Sequence, residues 1–188
     1  MIAPLAIPVT PQAAARAAAL EAVVPTLRTP RTRLRAPRLT DYGTLHTITG
    51  TARGAFEGGP STPEETWADF CAMTATWLLR GHGMWTIETG GGDVAGFVLI
   101  GTEPGDREHE LGWLLAEAFE GMGLAHEAAK AARAYAWNDL RVPSLVSYIT
   151  VGNTRSEALA RRLGATPDGA LIDNTVTVWR HPTPAGAA

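Results

Sequence analysis

Glu110-Leu111-Gly112-Trp113-Leu114-Leu115, followed by Glu120-Gly121-Met122-Gly123-Leu124-Ala125 and an alanine-rich run to Ala136, reads as strand, glycine loop, helix. Glycines at 121 and 123 flank one residue, and with no Cβ in the way the chain can turn tightly there. Consecutive main-chain N–H groups at the start of the following helix can then face an anion, which makes the stretch a candidate diphosphate cradle. Leu124, Ala125, Ala128, Ala129, Ala132 and Ala136 line one helix face, with small side chains that permit close packing on a sheet. His126, Glu127, Lys130 and Arg133 are expected to face water.

Working outward toward the C-terminus, Asn138, Asp139 and Pro143 end this helix, and Leu145 to Val151 is the next strand. Strand, helix and strand joined by such a crossover make the two strands parallel neighbours. Asn153 leads into a helix that runs through Leu163 and stops at Gly164. Pro167-Asp168-Gly169 reads as a turn, and Thr175 to Arg180 alternates as a last strand. Toward the N-terminus, Met84 to Glu88 and Val94 to Ile100 are strands joined by a glycine-rich turn, and Glu103-Pro104-Gly105-Asp106 turns into the strand from Glu108 to Leu115. The three form an antiparallel meander. Thr62-Pro63-Glu64-Glu65 starts a helix with a cap, a first-turn proline and first-turn acids. Trp67, Phe70, Cys71, Thr74, Trp77 and Leu78 follow at helical spacing as a core-facing stripe, in which Cys71 is a small buried residue. A shorter helix begins near Thr40 or Asp41, either of which can cap it. Thr26 to Arg35, with Pro30 inside, reads as one edge strand, because proline donates no ladder hydrogen bond. Residues 1–24 are an Ala- and Pro-rich extension with a short helix around Ala13 to Ala22, residues 25–182 a single domain, and residues 183–188 a tail.

Composition narrows the function. At 188 residues with 45% hydrophobic residues and six Trp, the chain can bury a core without staples. A formal net charge of −3 removes any general attraction to nucleic acid or anionic membrane. One cysteine can form no internal disulfide. No apolar run approaches the ~20 residues that span a bilayer, and no secretion signal opens the chain, so the expectation is a soluble cytoplasmic protein with no metal. The glycine loop fails the dinucleotide fingerprint, since His126 stands where the third glycine or alanine belongs. His126-Glu127 lacks the second histidine of a zinc-protease helix, and there is no Gly-x-Ser-x-Gly elbow.

The order of elements and the local motifs resemble the GNAT superfamily of N-acetyltransferases. The acyl-CoA loop of that superfamily is Arg or Gln, two residues, Gly, one residue, Gly or Ala; Gly123 and Ala125 fit its last two places, and Glu120 stands where Arg or Gln is usual. Leu27 to Arg35, Glu110-Leu111-Gly112-Trp113, Asn153-Thr154-Arg155-Ser156 and Leu163-Gly164-Ala165 resemble the branch of Rim-type ribosomal-protein N-terminal acetyltransferases. The resemblance covers roughly residues 26–182. It implies an α+β fold with a mixed sheet of six to seven strands flanked by helices, the fourth and fifth strands splayed apart.

The resemblance also implies roles. Main-chain groups near Trp113, Leu114 and Leu115 would pair with the pantetheine of acetyl-CoA, and Gly121, Met122, Gly123, Leu124 and Ala125 would hold its diphosphate. Asn153 would satisfy the pantetheine backbone at the splay or simply cap the last helix. Glu110 stands where several members carry a catalytic glutamate, and Glu108, two residues earlier on the same strand face, is the second candidate base. Glu110 positioning substrate or solvating a strand is the plainer alternative. The tyrosine that many members use toward the leaving thiolate is replaced by Ala160; Ser156 matches the branch's serine there, and Tyr148 is a weaker substitute. Arg155, Arg161, Arg162, Lys130 and Arg133 are candidate partners of the adenosine phosphates or a solvated cationic face. Trp85, Trp113, Tyr42 and Phe56 offer an acceptor groove or a core. The function implied is acetyl transfer from acetyl-CoA to a primary amine, on a protein N-terminus or a small molecule, by direct attack in a ternary complex. The alternative is a non-catalytic acyl-CoA-binding module. The extension is free to cover the acceptor groove or to serve a homodimer.

Overall fold

The computed structural model describes residues 7–184. Five helices, α1 (Pro11–Glu21), α2 (Tyr42–Thr49), α3 (Pro63–Arg80), α4 (Leu124–Asn138) and α5 (Thr154–Arg162), surround one sheet. Its strands are β1 (Leu27–Arg28), β2 (Thr32–Arg35), β3 (Met84–Thr89), β4 (Val94–Gly101), β5 (His109–Leu115), β6 (Leu145–Thr150), β7 (Thr166–Leu171) and β8 (Val176–Arg180), in the order β1-β2-β3-β4-β5-β6-β8-β7. Neighbours are antiparallel except β5 and β6, the pair joined through α4.

Eight strands replace the six to seven expected, for two local reasons. Pro30 does not sit inside a strand: it turns the chain, so that β1 and β2 pair with each other in the register Leu27↔Leu34 and Arg28↔Arg33. Thr29 N–H donates to the Thr32 carbonyl at 2.9 Å, and the fixed φ of proline suits the second position of such a turn. Pro167-Asp168-Gly169 is likewise not a turn but an irregularity within edge strand β7, whose pairing with β8 shifts between Pro167 and Ala170. The chain reverses later, where Ile172, Asp173 and Asn174 all have positive φ.

Alternation along β3 and β4 builds both faces. Trp85, Ile87, Val98 and Ile100 meet the alanine face of α4, where Ala128, Ala129, Ala132 and Ala136 are fully buried. Met84 and Phe97 meet Tyr42, Leu45, Ile48 and Phe70 from α2 and α3. The start of α3 is the capping box its sequence spells, with Glu65 N–H donating to Thr62 Oγ1 at 3.2 Å and Thr62 N–H donating to Glu65 Oε2 at 2.8 Å. The stripe on α3 divides, however. Phe70 is buried, while Cys71 is exposed and Leu78 is 67% exposed. The sheet is covered through Thr66, Phe70 and Met73, which leaves the Cys71 side of the helix facing a groove beside α1.

The extension is tied to the body at its end. Glu21 pairs with Arg38 at 2.9 Å, Val24 enters the core, and the Pro25 carbonyl accepts from Trp85 Nε1 at 2.7 Å. Asp41 precedes α2, but its carboxylate is turned inward. It accepts from Arg35 Nη1 at 2.7 Å and Nη2 at 3.0 Å, from Arg38 N–H at 2.8 Å and from Thr86 Oγ1 at 2.7 Å. Arg35 also binds Glu88, which Arg33 holds from the other side.

Candidate active site

The two flanks of β5 differ. Against β4 its ladder runs unbroken from Glu110↔Gly101 to Leu115↔Gly96. Against β6 it consists of His109↔Leu145 and Glu110↔Val146 and then stops. The strands separate at Leu111, whose carbonyl accepts from Ser147 Oγ at 2.6 Å, and that hydroxyl lies 3.0 Å from His181 Nε2. Burial, reinforced by the charge of Arg133, lowers His181 to about 4, so the ring is neutral at pH 7. Since the Ser147 proton is committed to Leu111, Nε2–H is the donor in the second bond. Beyond this junction β5 residues Gly112 to Leu115 have no strand partner on the β6 side, which leaves main-chain donors and acceptors for an extended ligand.

The gap opens into a cavity of about 400 Å³ lined by Trp113, Leu114, Leu115, Gly121, Gly123, Ala125, Asn153 and Ser156, among others. A smaller extension toward the foot of the wedge reaches Glu110, Tyr148, Phe56 and Glu57. The donor-site residues expected from the sequence are therefore brought together, except that Met122 is 55% exposed and Leu124 is buried against the sheet. Gly121 and Gly123 have φ of +72° and +80°, the left-handed region that side chains with a Cβ resist. Gly123 is the N-cap of α4, so the first N–H groups of that helix face the cavity mouth.

Sequence reasoning missed what shapes this loop. Arg31, in the turn between β1 and β2, donates through Nη1 to the Met122 carbonyl at 2.8 Å. Glu127, expected in water, instead accepts from Arg31 N–H and Nε, both at 2.8 Å, and from Thr29 Oγ1. Arg53, in the short 3₁₀ turn Ala52–Phe56, reaches Glu120 and lines the cavity. No signal in the sequence places either arginine here, because each arrives from a segment far from the loop.

The two candidate bases are in opposite states. Glu110 is raised from the usual glutamate value to about 8, first by burial and then by the charge of Asp106, with Glu103 and Glu57 adding; a hydrogen bond from the Tyr148 main chain opposes them. Glu108 is held at about 2, chiefly because Arg180 donates to it through Nη1 at 2.7 Å and Nη2 at 2.8 Å. A carboxylate clamped in that fork does not accept a proton at neutral pH, and this removes Glu108 as the second base.

Ser156 lies in the first turn of α5. Its N–H donates to Asn153 Oδ1 at 3.2 Å, so Asn153 caps the helix, and its hydroxyl accepts from Trp113 Nε1 at 3.2 Å. The hydroxyl proton is then free for a ligand in the wedge. Ala160 is fully buried with Ile149, Ala165 and Trp179. Tyr148 lies on the wedge, its hydroxyl raised by burial and by Asp106, Glu108 and Glu110. Of the candidate cations, Arg155 and Arg162 line the cavity, whereas Arg161 pairs with Glu157 and Arg133 donates to the Leu163 carbonyl. Trp113 and Phe56 line the wedge; Trp85 and Tyr42 are core.

A mixed sheet opened between the parallel strands β5 and β6, with a glycine-capped helix at the mouth, defines a class. The acetyltransferase (GNAT) domain model matches residues 31–166, and the chain belongs to that family. A solved acetyltransferase from Agrobacterium tumefaciens str. C58 matches with a TM-score of 0.81 and 39% identity, over 85% of this chain and 95% of that one. RimL, a ribosomal L7/L12 alpha-N-protein acetyltransferase solved with coenzyme A, shares the fold at a TM-score of 0.68 and 20% identity, over 86% of this chain and 99% of its own. YdaF of Bacillus subtilis (strain 168), provisionally named a ribosomal N-acetyltransferase, is 29% identical over 76 residues, which is 40% of this chain and 42% of YdaF. Among the described residues no helix is long and apolar enough to cross a membrane.

Proposed function

We propose that this protein transfers an acetyl group from acetyl-CoA to a primary amine, on a protein α-amino terminus or a small molecule, by direct attack in a ternary complex. The observation that carries the reading is Glu110, a carboxylate near 8 at the foot of a wedge whose upper part has the open strand edges and glycine cradle for the donor. An α-amino group titrates at about 7.7–8.0, so proton transfer from its ammonium to Glu110 is close to thermoneutral.

In this scheme β5 main-chain groups from Gly112 to Leu115 align the pantetheine, and Gly121 to Ala125 hold the diphosphate. Glu110, in the ionised fraction that grows as pH approaches about 8, takes the proton from the acceptor ammonium, directly or through water. The amine nitrogen attacks the thioester carbonyl carbon, the carbon–sulfur bond breaks, and the sulfur leaves as a thiolate. Ser156 donates a hydrogen bond to that sulfur, its oxygen already engaged by Trp113. The nitrogen sheds its second proton as the amide forms, the thiolate takes up one proton, and Glu110 releases the one it holds to solvent. The charges of Glu57, Asp106 and Glu103, which raise Glu110, also favour a cationic acceptor near the same end.

The second reading, a non-catalytic acyl-CoA-binding module, draws on Ala160, which puts a buried methyl group where many relatives place a tyrosine hydroxyl. Steady thiol release from acetyl-CoA in the presence of an amine library, lost in Glu110→Gln while CoA affinity persists, supports transfer. CoA binding with no turnover across that library supports the second reading.

A further inference from the structure

Glu120 is the feature of the cavity that electrostatics alone does not favour, because it sets a carboxylate at the entrance to a diphosphate cradle. It is not free. Its Oε2 accepts from Arg155 Nη1 at 2.8 Å, and its Oε1 is bound by Arg53 Nη2. The two arginines come from opposite walls, Arg53 from the turn after α2 and Arg155 from the first turn of α5. Both line the cavity beside Gly121 and Gly123, together with Arg162. Arg53 is also held near Glu117 at 3.7 Å, and its Nε is buried with no hydrogen-bond partner among the described residues.

We infer that Glu120 positions Arg53 and Arg155 as a pair of guanidiniums that grips the donor's diphosphate, so that this carboxylate strengthens the binding of an anion. The inference rests on the reading of the cavity as the acyl-CoA site. A guanidinium carries five N–H donors in a planar fork, and Glu120 engages only one nitrogen of each. Donors that Glu120 leaves unused on the Nη nitrogens of both arginines are available to phosphate oxygens, for which the fork is well matched. Held at both carboxylate oxygens, the two side chains give up rotamer freedom before the ligand arrives rather than on binding. The local charge also remains favourable: Glu120 and the more distant Glu117 offset Arg53 and Arg155, and Arg162 on the cavity wall leaves the group net positive. The cation that relatives carry at the first place of the loop is thereby relocated to the two flanking walls, and Glu120 is the bracket between them.

Simple charge arithmetic and this inference predict opposite signs. Removing a carboxylate beside a diphosphate should tighten binding if Glu120 only repels. It should weaken binding if Glu120 acts through the arginines. Isothermal titration with CoA and with dephospho-CoA, which keeps the diphosphate but lacks the ribose phosphate, decides between them. Arg53→Ala and Arg155→Ala are each expected to weaken both ligands about ten-fold, and Glu120→Gln about five-fold to ten-fold, since charge-assisted hydrogen bonds are lost or loosened. In the Arg53→Ala/Arg155→Ala background the sign should reverse, and Glu120→Gln should improve binding, because only repulsion is left to remove. Arg155→Lys, at a largely exposed position, should keep part of the affinity and guards against a folding defect. Tighter CoA binding by Glu120→Gln in the otherwise native chain overturns the inference. So does a loss on Glu120→Gln that persists undiminished without the two arginines, or arginine effects that vanish with dephospho-CoA. Absence of CoA binding by the native protein would instead refute the reading of the cavity itself.

Discussion

Two regions of this molecule draw carboxylates wholly or partly out of water and treat them in opposite ways. Between α2, β2 and β3, Asp41 and Glu88 are locked to Arg35 and Arg33, with Arg35 and Asp41 only 8% and 2% exposed in their side chains. At the parting of β5 and β6, Glu110 is half-buried with no basic partner among the described residues and is raised to about 8. The first arrangement satisfies every charge and holds α2 on the sheet. The second keeps a carboxylate uncomfortable in its charged form, a state that costs stability and suits a group that must exchange a proton. Where a buried acid finds its partner therefore separates scaffold from candidate chemistry here.

Breaking the first region should have the largest effect. Asp41→Ala leaves the Arg35 guanidinium buried with half its pairing gone, and a loss of about 3–5 kcal/mol in unfolding free energy is expected by denaturant titration. Acetyl transfer per folded molecule should change little. A loss below about 1 kcal/mol would show that the network relaxes into water.

In the second region the cradle is the more sensitive part. Gly123→Val places a β-branched residue at a φ of +80°, with Arg31 Nη2 already 3.4 Å from where its Cβ would lie. CoA affinity should fall on the order of 100-fold, about 2.8 kcal/mol, as read by calorimetry. Retained tight binding would refute the cradle.

Glu110→Gln sharpens the contrast because its two effects have opposite signs. Turnover should drop about 100-fold with CoA affinity unchanged, as for loss of a general base. Stability should rise. The folded state retains a proton on Glu110 that the unfolded chain releases above about 4.5, so the native protein loses stability as pH climbs from about 4.5 to about 8. The glutamine variant lacks this loss, and its advantage in thermal melts should grow through that window to on the order of 2 kcal/mol. Glu108, held at about 2, contributes in the other direction: its stabilisation is present above about 4.5 and fades as pH falls toward about 2. Equal melting curves for the native and Glu110→Gln proteins at pH 5 and pH 8 would remove Glu110 as a strained acid.

The smallest effect is expected at Ser156. Ser156→Ala removes one hydrogen bond to the sulfur and should slow turnover about five-fold to ten-fold with unchanged folding, near the worth of a single hydrogen bond. Unaltered kinetics would remove Ser156 from the mechanism and leave it as a residue of the first turn.

Much of this was readable from local patterns. The glycine loop, the alanine face of α4, the capping box at Thr62 and the stop at Gly164 depend on residues a few positions apart, and each is found where its sequence puts it. The misreadings arose where a local signal has two uses. Pro30 can blunt an edge strand or turn a hairpin, and Cys71 lies on a helix whose other side has the better fit to the sheet. Glu108 and Glu110 are indistinguishable as letters on one strand face; Arg180, 72 residues away along the chain, claims the first and not the second.

From the amino-acid sequence alone came the succession of elements, the family likeness and the place of the glycine loop proposed as the donor cradle, because backbone freedom at glycine and hydrophobic periodicity act over one or two turns of chain. Only the folded molecule decided the protonation of Glu110, the pairing of Glu108 and the double anchoring of Glu120 by Arg53 and Arg155. Charge state is set by burial and by groups brought within a few ångströms from distant segments, and sequence spacing carries no record of those approaches.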